Sequence, residues 1–187
     1  MASFEAREFT GADLRMKIPF GALVVGPQQA GKSTFLEEVV EEKDEIFDPP
    51  PESVVYAYGC YDKRIVRFQK RGAIIVAGAP SDDLLERIPK PAVLILDDLM
   101  SQMSKAYLDE LFTKKAHHMN LGVFLVLQNL FDKSSVVSRV NSQYIFLMRA
   151  PNAALQIKNL GTFLRVSQNV FMRFYAFLCV FTRFYTF

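Results

Sequence analysis

Phe20-Gly21-Ala22-Leu23-Val24-Val25 leads straight into Gly26-Pro27-Gln28-Gln29-Ala30-Gly31-Lys32-Ser33-Thr34, and then into Phe35-Leu36-Glu37-Glu38-Val39-Val40. The first run is apolar throughout and predicts a fully buried strand. From about Lys32 to Glu42 the pattern predicts a helix lying on a sheet, because Phe35, Leu36, Val39 and Val40 share one face. Between the two stands the spacing G-x-x-x-x-G-K-[ST], in the strand-then-helix context that gives the pattern its meaning. Gly26 and Gly31 permit a tight curl that turns backbone N–H groups toward phosphate oxygens. The start of the helix adds partial positive charge. Lys32 would reach the β and γ phosphates, and the Ser33 hydroxyl would sit on Mg2+. All nine residues from Gly26 to Thr34 are therefore candidate ligands of a nucleoside triphosphate such as ATP. The plain alternative is a glycine turn; the pattern arises by chance in roughly 1% of chains this long.

Composition sets the frame for that loop. A length of 187 residues fits one domain with a sizeable core, and half the residues are hydrophobic with 22% charged, which excludes a disordered chain. The net charge is +2. Residues 161–187 hold Arg165, Arg173 and Arg183 and no acid, so residues 1–160 carry a net −1. Nucleic-acid contact would have to come from local patches. Cys60 and Cys179 are isolated, which predicts free thiols and an intracellular protein. Early charges at Glu5, Arg7 and Glu8 argue against a secretion signal.

Three regions are expected: a polar lead-in at 1–17, a core at 18–164 and an aromatic-rich tail at 165–187. The outer face of the first helix carries Glu37, Glu38, Glu41 and Glu42, predicted to be solvated. Pro49-Pro50-Pro51 forms a stiff connector, and Val54 to Tyr58 is a second buried strand. In residues 61–71, five of eleven are basic, with Tyr61 and Phe68 among them. Such a mixture suits a phosphate backbone with stacking support, or equally a solvated amphipathic helix. Ala73 to Ala77 is a third strand, and Ser81 can cap a short helix to about Arg87.

Ala92 to Leu96 is a fourth strand that ends on Asp97-Asp98, the edge where open α/β sheets bind ligands. Asp97 would hold Mg2+, and Asp98 would take the proton of an attacking water. The alternative is that the pair caps the next helix. Ser104 can cap a helix to about Ala116 with Tyr107, Leu108, Leu111 and Phe112 inward. His117 and His118 are adjacent, so they point to different sides and do not suggest a metal site. Leu121 to Leu127 is a fifth strand, ending on Gln128-Asn129. An amide there can bond the γ phosphate or the lytic water, or simply make a turn. Tyr144 to Met148 is a sixth strand, and Ala153 to Leu160 can form one more helix.

The order of motifs points to the ATPase branch of P-loop proteins, in which an additional strand separates the phosphate-loop strand from the acidic one. Several short runs are more specific. Asp48-Pro49-Pro50-Pro51-Glu52, Tyr56-Ala57-Tyr58-Gly59, Gly78-Ala79-Pro80 and Leu94-Ile95-Leu96-Asp97-Asp98-Leu99-Met100 come first. Leu111-Phe112-Thr113, His117-His118-Met119-Asn120, Leu127-Gln128-Asn129-Leu130-Phe131, Asn141-Ser142-Gln143-Tyr144 and Ala150-Pro151-Asn152 follow in order. Together they resemble the genome-packaging ATPases of large DNA viruses and Maverick/Polinton-type elements, in the FtsK–HerA superfamily, over about residues 18–164.

The resemblance implies an α/β fold of the RecA-like P-loop NTPase kind, a three-layer sandwich with a mostly parallel central sheet flanked by helices. It implies Mg-dependent hydrolysis of ATP by a homo-oligomeric ring that drives double-stranded DNA into a capsid, with capsid or portal-type proteins as partners. It also implies an arginine finger from a neighbouring subunit. The family's basic residue before the Asn141-Ser142 pair is replaced here by Val136 and Val137, which leaves Arg139 as the nearest substitute and Arg149 as the next. The tail departs from the family. Arg173 and Arg183 enclose nine uncharged residues, too few to cross a bilayer, so no membrane insertion is expected. The aromatic run is read as a truncated or misread frame, or as a partner surface. A nucleotide-binding remnant or interaction module without motor activity is the second reading, and a small-molecule kinase a weaker third.

Overall fold

The computed structural model describes residues 15–148 of the chain. In order, the elements are β1 (Met16–Lys17), β2 (Phe20–Val25), α1 (Lys32–Glu41), α2 (Lys43–Ile46), β3 (Phe47–Asp48), β4 (Ser53–Tyr58), α3 (Ile65–Lys70) and β5 (Ile74–Ala77). Then come α4 (Asp82–Arg87), β6 (Ala92–Asp97), α5 (Lys105–Glu110), α6 (Ala116–His118), β7 (Leu121–Leu127), α7 (Val136–Asn141) and β8 (Tyr144–Leu147). Six strands form one sheet in the order β5-β4-β6-β7-β2-β8, and every pairing in it is parallel. The fold is α/β with a parallel central sheet flanked by helices, an arrangement compatible with the RecA-like order.

Both faces of a parallel sheet must be covered, and the alternation of side chains along each strand shows how this one is. On β2, Phe20, Ala22 and Val24 enter one apolar cluster with Phe35, Leu36, Val39 and Val40 of α1 and with Ile65 and Phe68 of α3. Leu23 and Val25 enter the other, with Leu85 of α4, Leu108 of α5, Leu111, Phe112 and Ala116. The central strands β2, β6 and β7 are buried almost end to end, whereas β5 at one edge is half exposed. Helices α5 and α6 are joined through a single π-helical turn at Leu111–Lys115, so one helical run continues to His118, two residues past the expected end. Ser81 and Ser104 cap their helices as expected, accepting from the backbone N–H of Leu84 and Tyr107.

Two expectations need correction, and one left open is decided. Part of the polar lead-in is structural: Met16 is buried, and β1 pairs with β3 in a small two-stranded sheet. Glu37 is not on a solvated face. Its side chain is 8% exposed, because α3 lies over that side of α1 and brings Arg67 and Arg71 to within 3.5 and 3.7 Å of Oε2. The basic stretch at 61–71 is the amphipathic alternative, an α3 whose Ile65 and Phe68 face the core and whose Arg71 also pairs with Glu41. Arg149, the expected helix at 153–160 and the tail at 165–187 lie outside the described residues.

Gly122 shows how tightly the layers meet. A Cβ there would lie 2.3 Å from the ring of Phe20. That ring stacks on Phe47 at 5.7 Å and meets Phe124 and Tyr144 edge-on at 5.2 and 5.5 Å, so it cannot yield freely. Gly122→Ala is expected to cost about 1–3 kcal/mol in urea unfolding. Val140→Ala, at a residue 64% exposed, should stay within about 0.5 kcal/mol of the unaltered chain. An unshifted Gly122→Ala midpoint would contradict this packing.

Candidate functional site

The loop from Gly26 to Gly31 leaves the carboxyl end of β2 and turns sharply into α1. Gln29 and Gly31 both take left-handed backbone angles, φ 63° and 91°, which glycine adopts without strain and which accounts for Gly31 at that position. Gly26 is needed for a different reason: a Cβ there would meet Met148 at 2.7 Å. The Lys32 side chain folds back under the loop, its Nζ donating to the carbonyls of Gly26 at 2.6 Å and Pro27 at 2.7 Å. Burial lowers the Lys32 pKa; the charges of Asp97 and Asp98 act against that, and Arg64 adds to it.

Strand order carries the acids to the loop. Val25 of β2 is level with Leu127 of β7, and Leu96 of β6 is level with Leu125, so the three strands end together. A cleft of about 340 Å3 opens at that edge. Gln28 to Ser33 line one wall, Asp97 and Asp98 another, and Gln128 the floor between them with Val126 and Leu127. Residues far apart in sequence, and assigned there to one chemistry, thus share one cavity. Gly26 and Pro27 take part through the carbonyls that hold Lys32, while Thr34 is exposed outside the lining.

Asp97 follows Ile95 on the α1 side of the sheet, where the phenol of Tyr56 donates to Oδ2 at 2.6 Å. Burial raises the Asp97 pKa; the Tyr56 bond and Lys32 work the other way, and Asp98 adds to the rise. The Tyr56 phenol is itself shifted upward by burial and by Asp97, so it stays a donor. The donor set is hard oxygen from one hydroxyl, Ser33, and one carboxylate, Asp97. That is the kind of sparse protein contribution that suits Mg2+, which keeps waters and takes phosphate oxygens as its other ligands. Among the described residues, no group of three His, Cys, Asp or Glu side chains is arranged to hold a metal without such help. His117 and His118 are exposed, away from the cleft.

No protein-family model matches the chain, and no curated protein matches it significantly.

Several residues in it had no role in the site assigned from the sequence. Gly59 is one: a Cβ there would fall 1.8 Å from the Asp98 carbonyl oxygen. Its N–H donates to the Asp97 carbonyl at 2.9 Å, and its own carbonyl accepts from the Gln102 amide at 2.9 Å. Only glycine lets β4 pass so close, and the contact backs Asp98, which sits at a left-handed φ of 53°. A glycine ending one apolar strand beside another that ends in acids was the available signal. Tyr56, Tyr58, Cys60, Tyr61, Asp62 and Arg64 also line the cleft. Arg139 does not. Its Nη1 donates to the Leu130 carbonyl at 2.6 Å and its guanidinium lies 5.2 Å from the centre of the Phe131 ring.

Two outcomes follow from this geometry. Gly59→Ala must push the Asp97-Asp98 turn aside, and it is expected to cost about 1–3 kcal/mol in urea unfolding; an unshifted midpoint would refute the close approach. The second concerns Asp97, whose raised pKa means that the folded chain resists ionising it. The penalty is complete above the raised pKa, and stability returns as pH falls through it. Asp97→Asn should therefore raise the thermal midpoint at neutral pH without nucleotide or magnesium, with the gain shrinking in mild acid. A midpoint at or below that of the unaltered chain at neutral pH would contradict the burial argument.

Proposed function

We propose that the chain is a RecA-like P-loop NTPase that hydrolyses ATP with Mg2+ and couples the reaction to movement of double-stranded DNA into a capsid. The observation that carries the hydrolytic reading is the shared cleft, in which the glycine loop, Lys32, two adjacent acids and Gln128 meet at the carboxyl edge of the sheet. The strand β7 between β2 and β6 supports the ATPase branch over the kinase branch. The DNA-packaging part rests on the residue series from Asp48 to Asn152 and on its likeness to viral packaging ATPases. A homo-oligomeric ring and capsid or portal-type partners belong to the same proposal. Among the described residues no helix is long and apolar enough to cross a membrane.

In this reading the backbone N–H groups of the loop and the Lys32 ammonium bind the phosphates. Ser33 and Asp97 would hold Mg2+, which neutralises charge on the phosphate oxygens. Tyr56 keeps the Asp97 carboxylate oriented. Gln128 positions a water whose oxygen bonds to the terminal phosphorus as the bridging P–O bond breaks. The electron pair leaves on ADP, and the water proton passes to Asp98 and on to solvent. Water is the acceptor, so the products are ADP and phosphate.

A binding module without turnover is the second reading, and the placement of Arg139 favours it. That side chain is committed to Leu130 and Phe131 of its own chain, leaving it poorly placed to serve a neighbour as a finger. Phosphate release separates the two. The motor reading predicts release that rises with duplex DNA and is abolished by Lys32→Ala. Asp98→Asn should keep nucleotide binding while turnover falls roughly 100- to 10,000-fold. Release indifferent to both DNA and Lys32→Ala would overturn it.

A further inference from the structure

We propose that Arg64 reads the terminal phosphate from within the same chain, and that Asp62 holds it in reserve until a triphosphate displaces the pair. The assignment rests on the cleft being a nucleotide site.

Among the described residues, Arg64 is the one guanidinium that lines the cleft. Across the sheet edge the lining runs from the loop after β2, through Gln128 after β7 and the acids after β6, to Arg64 in the connection after β4. Arg64 thus stands beyond Asp97 and Asp98 as seen from the loop. A polyphosphate gripped by the loop would present only its outermost group on that side. The two cations of the cleft then flank the acids, Lys32 from the loop and Arg64 from the opposite wall. Electrostatics agree with the placement: the Arg64 charge contributes to lowering the Lys32 pKa and helps hold down that of Asp97.

The base of Arg64 is firmly seated although its tip is not. Immediately after it, Ile65 and Phe68 are buried, and the Phe68 ring stacks on Tyr56 at 4.0 Å, the same Tyr56 that bonds Asp97. On the other side Arg67 and Arg71 reach Glu37 of α1, the helix that begins at Lys32. The connection before α3 is therefore referenced both to the metal-side acid and to the phosphate-loop helix. Arg67 and Arg71 are spent on this clamp, and Arg64 faces the cleft.

Its present partner is easily exchanged. Arg64 Nε and Nη2 donate to Asp62 Oδ2 at 2.9 and 2.6 Å, and its backbone N–H donates to Oδ1 at 2.9 Å. Both side chains are about half exposed, 49% and 46%, so water and salt screen the pair. A phosphate offers the guanidinium fork two oxygens, where Asp62 gives both nitrogens the one Oδ2, and it carries more negative charge. Asp62 sits within the cleft as well, so it competes directly with the incoming phosphate for Arg64. The exchange would supply, in cis, the positive charge that a neighbouring subunit's finger supplies elsewhere.

Calorimetry with Mg-ADP and with the magnesium complex of the β,γ-imido triphosphate tests this. Arg64→Ala should weaken the triphosphate analogue by roughly 10- to 100-fold and leave ADP unchanged. Asp62→Asn should strengthen the triphosphate relative to ADP, and that gain should vanish when Arg64→Ala is also present. Lys63→Ala removes equal charge one residue away, outside the lining, and should leave the ratio unchanged. Equal loss of both ligands in Arg64→Ala, no loss, or a gain from Asp62→Asn that survives Arg64→Ala would overturn the assignment while leaving the nucleotide site standing. Binding of neither nucleotide by the unaltered chain would remove both.

Discussion

Strand β7 lies between β2 and β6, and the spacing it imposes governs everything at the sheet's edge. Two strand separations put the end of the loop strand roughly 10 Å from the end of the acidic strand. That gap is wide enough for phosphates and a hydrated cation between a gripping loop and two carboxylates. It also places Gln128, at the end of the intervening strand, under whatever occupies the space. The separation is maintained by a sheet whose central strands are buried on both faces, so the edge cannot widen or close without breaking the core.

Around that frame the chain has built a set of side-chain connections that tie the walls together. Glu37, on α1, gathers Arg67 and Arg71 from α3. Tyr56, on β4, joins Phe68 of α3 to Asp97 of β6. Gly59 brings the end of β4 against the Asp98 main chain. Motion of the loop helix would be felt by α3, and motion of α3 by the acids. In a motor of the proposed kind, such links would pass the state of the nucleotide to the surface of the molecule. The Glu37 Oε1 atom is buried with no hydrogen-bond partner among the described residues.

The elements legible in sequence were those whose patterns have a single physical reading. Phe20 to Val25 could only be a buried strand, the phosphate-loop spacing announced its own turn, and Ser81 and Ser104 declared their helices. Asp97-Asp98 and Gln128 were assigned to one site by chemistry, and the strand order brings them together. What escaped was whatever depended on one element lying over another. Glu37 reads as one of four surface acids until α3 is laid across it. The basic residues at 61–71 allow a nucleic-acid patch or an amphipathic helix alike until three of the five find acids of the same chain. Tyr56 and Gly59 look like ordinary strand residues because their partners, Asp97 and Asp98, are about forty positions away. Met16 was hidden in a polar segment, and only its pairing partner at Phe47 makes a strand of it.

The central claim is that the loop and the paired acids form one site for a magnesium-bound triphosphate. A crystal structure with Mn2+ in place of Mg2+ and the β,γ-imido analogue of ATP tests it most directly. The account predicts an anomalous manganese peak beside Ser33 and Asp97, and a Lys32 ammonium that has left the carbonyls of Gly26 and Pro27 for the phosphates. Manganese and analogue bound elsewhere, or Lys32 still on those carbonyls with the nucleotide present, would contradict it.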